Sequence, residues 1–162
     1  MNRICIELEN GKKMYVELYE DIAPITVANF LKLVDQDFFK GIVFHRVIKD
    51  FMCQAGGYFI KEGKYIDMKR AESIVGEFET NGHKNDLKHV LGVISMARTN
   101  DPNSASGQFF ICSASCAHLD GSYAAFGYLY EGYDCLDFVA GVKTNYNDKP
   151  LVDVTIESIK RI

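Results

Sequence analysis

A mainly β domain with two helices, built as a barrel or a sandwich, is what this chain predicts. Three observations predict it. Short segments with period-two alternation recur along the chain, starting at residues 3–9 and 13–19. Clusters of Gly, Asn, Asp and Pro punctuate them. Helical spacing is confined to two stretches, residues 24–34 and 136–140.

In the first segment Ile4, Ile6 and Leu8 are apolar, while Arg3, Glu7 and Glu9 are polar. In the second, Met14, Val16 and Leu18 share a face. Asn10-Gly11 joins the two half-buried strands, and Met1 and Asn2 lead directly into the first. Asn-Gly favours a two-residue hairpin loop, but the parity argues otherwise. All these apolar residues are even-numbered, and paired residues must face the same side. Only an odd loop length places even opposite even. The pattern predicts a three-residue loop with Gly11 in the left-handed conformation, forming a bulge.

Pro24 sits where a first helical turn tolerates it. Val27, Phe30, Leu31 and Val34 follow at amphipathic spacing and are read as core cover. From Phe44 the chain reads as a strand, a bend carrying Phe51 and Met52, and a second short strand ending at Gly56-Gly57. The polar stretch from Lys61 to Arg70 reads as surface loop. Residues 91–97 and 108–112 read as strands, separated by the turn formers Asn100 to Ser104. Within the latter strand Phe109 alternates with Phe110, and Phe109 is assigned to the core. Residues 124–129 form a further strand. Leu136, Val139 and Ala140 mark a second helix, stopped by Gly141. At the C-terminal end Val152, Val154 and Ile156 alternate with Asp153, Thr155 and Glu157.

The 162 residues suit one domain, residues 1–162, and no linker or repeat divides them. Apolar residues make up 48%, enough for a sizeable core. The net charge of −4 argues against nucleic acid, whose phosphates call for a basic face. No signal-peptide core and no run of membrane-spanning length is visible, so neither membrane nor export is expected. Five cysteines, an odd number, read as free thiols in a reducing cytoplasm. Cys112 and Cys116 lie four apart and form no C-x-x-C motif; with Cys112 in a strand, their thiols need not be neighbours. The histidines lack ligand spacing, so no metal or cofactor is expected. Ser104 and Ser106 have no adjacent base, and no phosphate-binding glycine loop occurs.

Arg46 is the residue that asks for an explanation. A guanidinium is costly to bury unless it is paired or faces a pocket. Beside Phe51, Met52 and Gln54, it can border a site that takes an apolar group and reaches an adjacent carbonyl. Taken alone, it would more often be half of an ion pair. Its context is FHRVI-x-x-FMCQ (residues 44–54), then SMA-x(8)-SGQFFI (95–111), then HLDG-x-x-AAFG (118–127). In this order and spacing these resemble the cyclophilins, the peptidyl-prolyl cis-trans isomerases, in a bacterial-like form. Gly76-Glu77-Phe78 and Leu87-Lys88-His89 resemble two further markers of that family. Only residues 58–75 match it loosely.

The resemblance implies a closed eight-stranded antiparallel β-barrel capped by two α-helices, with the substrate groove on its outside. It implies X-Pro isomerisation in folding or flexible polypeptides, without covalent chemistry or cofactor, and a monomer. Arg46 matches the catalytic arginine. Phe51, Met52, Phe110 and Leu119 match the walls of a proline pocket. Gln54 matches the glutamine that orients the arginine. Ala97, Arg98 and Gln108 match positions that bind the peptide residues before proline, and His45 lies at the pocket margin. Two positions depart. His118 stands where many eukaryotic members have tryptophan, which implies weakened cyclosporin binding. Tyr123 stands where many have histidine at the pocket floor. The expected partners are proline-containing peptides and unfolded segments. The rival reading is a proline-peptide receptor whose turnover is incidental; the intact Arg46 and Gln54 favour catalysis.

Overall fold

The computed structural model describes residues 2–68 and 71–162. Nine strands are present among them: β1 (Asn2–Leu8), β2 (Lys13–Leu18), β3 (Ile42–Ile48), β4 (Met52–Lys61), β5 (Lys64–Asp67), β6 (Val93–Met96), β7 (Phe109–Cys112), β8 (Ala125–Glu131) and β9 (Ile156–Arg161). Two helices join them, α1 (Pro24–Asp35) and α2 (Tyr133–Ala140). None is long and apolar enough to cross a membrane. All pairings are antiparallel. The sheet order is β3-β4-β7-β6-β8-β2-β1-β9, with β5 attached to β4.

The first hairpin bears out the parity argument. Glu7 pairs with Lys13. Leu8 N–H donates to Lys12 O, and Gly11 N–H donates to Leu8 O, both at 2.9 Å. That leaves a three-residue loop with Gly11 at φ +86°, a conformation open to glycine at no steric cost. Ile4, Ile6, Leu8, Met14, Val16 and Leu18 all face the core.

Helix α1 starts at Pro24 and buries Val27, Phe30, Leu31 and Val34 as its spacing predicts. Phe30 meets Phe39, Phe109 and Phe126 at ring separations of 4.9–5.5 Å. Its N-cap residue, Ala23, has no side-chain acceptor to offer. A distant carboxylate serves instead: Glu77 Oε1 accepts from Thr26 N–H at 2.6 Å and from Thr26 Oγ1–H at 2.7 Å, all buried. Glu77→Ala would strand two buried donors at about 1–3 kcal/mol each. It should lower Tm by roughly 5–15 °C, and Glu77→Gln, which keeps an acceptor, by less. Thermal melts equal to wild type would show that Glu77 does not cap α1.

Several expectations need correction. The sheet is curled and not a closed barrel. Its end strands β3 and β9 share no ladder. The ends meet through one isolated bridge, Val43–Thr155, with Gly41 N–H to Ile156 O and Phe44 N–H to Val154 O at 2.9 Å. Only a few residues run beside β3 before the chain turns to pair with β1. The C-terminal strand also begins later than the alternation suggests. Val152 is exposed, and Ile156 and Ile159 face the core, because a register shift beside Glu7 and Leu8 inserts an extra residue in β9. The β4 strand does not end at its glycines. It runs through Gly56, whose φ is +99° and where a Cβ would lie 2.2 Å from Gly107 O. Glycine there admits the neighbouring backbone. The Lys61–Arg70 stretch is not all loop: Lys64–Asp67 pairs with β4 through a turn at Glu62 and Gly63, both at positive φ. Met1, Lys69 and Arg70 lie outside the described residues.

The core has two parts. The interior holds Phe109 with Phe30, Phe39, Phe44 and Phe126. A second cluster holds Met52, Phe110, Cys112, Cys116 and Leu119, with Phe51 and Tyr123 packed against it. Phe109 and Phe110 thus face opposite ways, as the alternation requires. Met52, Phe110 and Leu119 of the second cluster line a surface pocket.

Candidate active site

A register shift in β3 sets up the exposed face that carries Arg46. Phe44 pairs with Ala55 and Arg46 with Gln54, so His45 is an extra residue opposite them. Phe44 and Val47 both stay in the core, while His45 and Arg46 are left outside it. Arg46 Nη1–H donates to Gln54 Oε1 at 3.4 Å, and Gln54 Nε2–H donates to Gln108 Oε1 at 2.8 Å. Among the described residues no carboxylate pairs with Arg46. The ion-pair reading of Arg46 therefore has no partner here, and the residue is exposed.

Beside Arg46 is a pocket of about 100 Å³, lined by Phe51, Met52, Gln54, Ala97, Arg98, Phe110, Leu119 and Tyr123. Nine of the twelve residues proposed from sequence, Arg46 included, meet here. A second groove of about 310 Å³ continues from it past Gln54, Ala97, Arg98 and Gln108 toward Gly56, Gly57, Thr99 and Ser104. Gln108 belongs to this groove and not to the pocket. The Arg98 side chain is engaged elsewhere. Its Nε and Nη2 donate to Ser122 O at 3.2 and 2.7 Å, and Nη1 donates to Thr99 O at 2.9 Å. Its guanidinium lies over Phe78 and Tyr123, 4.8 and 4.7 Å from the ring centres. Among the described residues nothing bonds to its backbone N–H or C=O.

His118 and His45 lie outside the pocket lining. The His118 ring sits 5.2 Å from that of Phe51. The His45 ring packs edge-on against Tyr58 at 4.8 Å, with Nδ1 buried and lacking a hydrogen bond.

One contributor escaped the sequence reading. His89 is buried against Phe110, their rings near-parallel at 6.0 Å. Asp120 Oδ1 accepts from His89 N–H at 2.7 Å and lies 3.1 Å from Nδ1. Nε2 is 2.8 Å from Ser95 Oγ. With Nδ1 protonated toward the carboxylate, the Ser95 hydroxyl donates to Nε2, and the neutral ring is held from both sides. Leu87-Lys88-His89 stood out as a family marker, but nothing in its spacing linked it to Phe110.

Both histidines titrate low. Burial, then the Arg46 charge, pushes His45 down to about 4. Burial also lowers His89, against the opposing bonds and charge of Asp120. An unfolded histidine titrates near 6.5. Below that pH the unfolded chain takes up protons that the folded chain refuses. Their contribution is complete above about pH 6.5 and is lost as pH falls toward the folded values. Tm should therefore hold between pH 8 and 7 and drop between about 6.5 and 4, with a slope of at most about 1.4 kcal/mol per pH unit for each group. His45→Phe should flatten this slope. Parallel Tm–pH curves for the two proteins would refute the assignment.

The fold and this exterior pocket define a class of protein: a curled antiparallel sheet carrying an arginine with no carboxylate partner among the described residues, beside a cleft of side-chain size walled by Phe51, Met52, Phe110 and Leu119. Comparisons with known proteins name it. The model of the cyclophilin-type peptidyl-prolyl cis-trans isomerases matches residues 3–161. A peptidyl-prolyl cis-trans isomerase of Streptomyces antibioticus is 38% identical, covering 91% of this chain and 92% of that one. Peptidyl-prolyl cis-trans isomerase B of Escherichia coli is 34% identical, covering 93% and 94%. A crystal structure of a Cryptosporidium parvum cyclophilin superposes with a TM-score of 0.83 at 27% identity, covering 99% and 97%. The chain belongs to the cyclophilin-type peptidyl-prolyl cis-trans isomerases, and its activity is the interconversion of cis and trans X-Pro bonds.

Proposed function

We propose that the pocket beside Arg46 holds the proline ring and that Arg46 lowers the barrier to rotation. The observation that carries this is a guanidinium at the rim of a pocket walled by Phe51, Met52, Phe110 and Leu119, hydrogen-bonded to an amide and with no carboxylate partner among the described residues. X-Pro rotation breaks no covalent bond. Its barrier is amide resonance, roughly 18–20 kcal/mol, and uncatalysed exchange takes roughly 10–100 s. The walls Phe51, Met52, Phe110 and Leu119 fix the ring. Arg46 holds the proline carbonyl and donates toward the nitrogen as it becomes pyramidal. Such fixed donors gain strength where water is excluded. Gln54, tied to Gln108, keeps the guanidinium in place.

The residues before proline lie along the second groove and pair with the Arg98 backbone as an added strand does. The related C. parvum cyclophilin was crystallised in the presence of the dipeptide Ala-Pro. The clients of this chain are exposed X-Pro segments of unfolded or flexible proteins. The test is relaxation of a short cis-X-Pro peptide with catalytic amounts of protein, alongside refolding of a protein limited by proline isomerisation. Acceleration of the peptide but not of the protein would remove folding from the proposal. Cyclosporin binds weakly, because His118 offers less apolar surface than an indole. Calorimetric titration should show tighter binding by His118→Trp, and equal affinities would shift the limit to another residue.

A further inference from the structure

Between the 3-10 turn Ala117–Leu119 and β8 the chain runs through Ser122 and Tyr123 without a ladder of its own. Two walls of the proline pocket, Leu119 and Tyr123, belong to this stretch. Ser122 joins them, since its N–H donates to Leu119 O at 3.1 Å. Among the described residues, Ser122 O accepts only from the Arg98 side chain, through Nε at 3.2 Å and Nη2 at 2.7 Å.

Arg98 is half-buried and lines both the pocket and the groove beside it. Among the described residues no carboxylate pairs with it. Its charge is met instead by carbonyl oxygens and by the faces of two rings, Phe78 and Tyr123. Phe78 is fully buried in the interior cluster, so one of these rings is fixed. Tyr123 is only partly buried, and it stands edge-on to Phe110 at 5.9 Å. The cation thus ties a pocket wall on a loop to a ring in the core. A guanidinium suits the task, because it is planar, stacks on aromatic faces and donates from several nitrogens at once.

We infer that the Arg98 side chain is a positioning residue, which clamps the Leu119–Tyr123 stretch and so sets the grip of the pocket on the proline ring. This rests on the reading of that pocket as the substrate site. The residue then has two separate tasks. Its backbone pairs with the peptide, and its side chain holds the wall. The walls grip the ring in the planar and the twisted amide alike. The clamp therefore contributes uniform binding, which appears in KM. Arg46 acts on the twisted amide, which appears in kcat.

The test follows isomerisation over a range of cis-X-Pro peptide concentrations, so that KM and kcat separate. Arg98→Met removes the charge and the donors but keeps an unbranched stem and the backbone. It should raise KM about tenfold and change kcat by less than about twofold. Arg98→Lys keeps a cation over the rings without the fork. It should recover part of the loss, and it repeats the check should Arg98→Met not fold. Arg98→Met in a Tyr123→Leu background should add less than about twofold to KM, because the wall through which it acts is already gone. A wild-type KM in Arg98→Met would overturn the clamp. Additive effects in the double variant would overturn the route through Tyr123. A loss confined to kcat would overturn the positioning role and place Arg98 at the rotating amide. Failure of the pocket reading shows separately, as normal turnover by Arg46→Ala.

Discussion

Arg46→Ala should lower kcat/KM for X-Pro isomerisation by about 100- to 1,000-fold, the usual effect of removing a fixed donor from a developing charge. Tm should stay within a degree or two, as expected for an exposed residue outside the core. Exposure and bonding decide this. Arg46 is exposed, and its hydrogen bond to Gln54 is long, at 3.4 Å. The fold loses little when the side chain goes, whereas a rotating amide loses its donor. Arg46→Lys is a sharper control. It keeps the charge but not the planar fork that reaches carbonyl and nitrogen together. Most of the loss should therefore persist in Arg46→Lys. Relaxation of a cis-X-Pro peptide, with thermal melts of the same samples, measures both quantities. A Lys variant with full turnover would reduce the role of Arg46 to charge alone. An Ala variant with full turnover would leave the pocket as a binding site whose catalysis arises elsewhere.

Features governed by local rules were legible in the sequence. Parity sets the length of the first hairpin loop, and Gly11 has the left-handed conformation that the loop requires. Helical spacing set the buried face of α1. Alternation separated Phe109 from Phe110, which is the difference between core and site. Features governed by tertiary contact were not legible. β5 carries too few apolar residues to announce itself and forms because β4 extends beyond its glycines to meet it. The Glu77 cap lies 51 residues from Thr26. His89 reaches Phe110 only because the sheet sets β7 and β6 side by side. The Cys116 thiol bonds to Phe51 O, a backbone atom with no sequence signature. The family resemblance supplied the residues of the pocket. It also suggested a closed barrel, where the chain has a curled sheet joined at one bridge.

Phe110→Ala should produce the largest combined effect. The ring is almost fully buried, near-parallel to His89 at 6.0 Å and edge-on to Tyr123 at 5.9 Å. Truncating a buried phenylalanine costs about 3–5 kcal/mol, which should lower Tm by roughly 6–20 °C for a chain of this size. Stability alone would not establish a role in the site, so Phe109→Ala is the matched control. It removes the same ring one residue away, from the interior instead of the pocket. Both variants should melt early by similar amounts. Assayed well below both melting temperatures, Phe109→Ala should retain most of its kcat/KM, while Phe110→Ala should lose more than about tenfold, because a pocket without one of its walls no longer fixes the proline ring. Phe110→Leu should restore much of the Tm but little of the rate, since it refills volume without the flat surface against His89. Equal kinetic losses in Phe109→Ala and Phe110→Ala would mean that turnover follows the integrity of the sheet as a whole. The pocket would then have to be assigned from Arg46 and Gln54 alone.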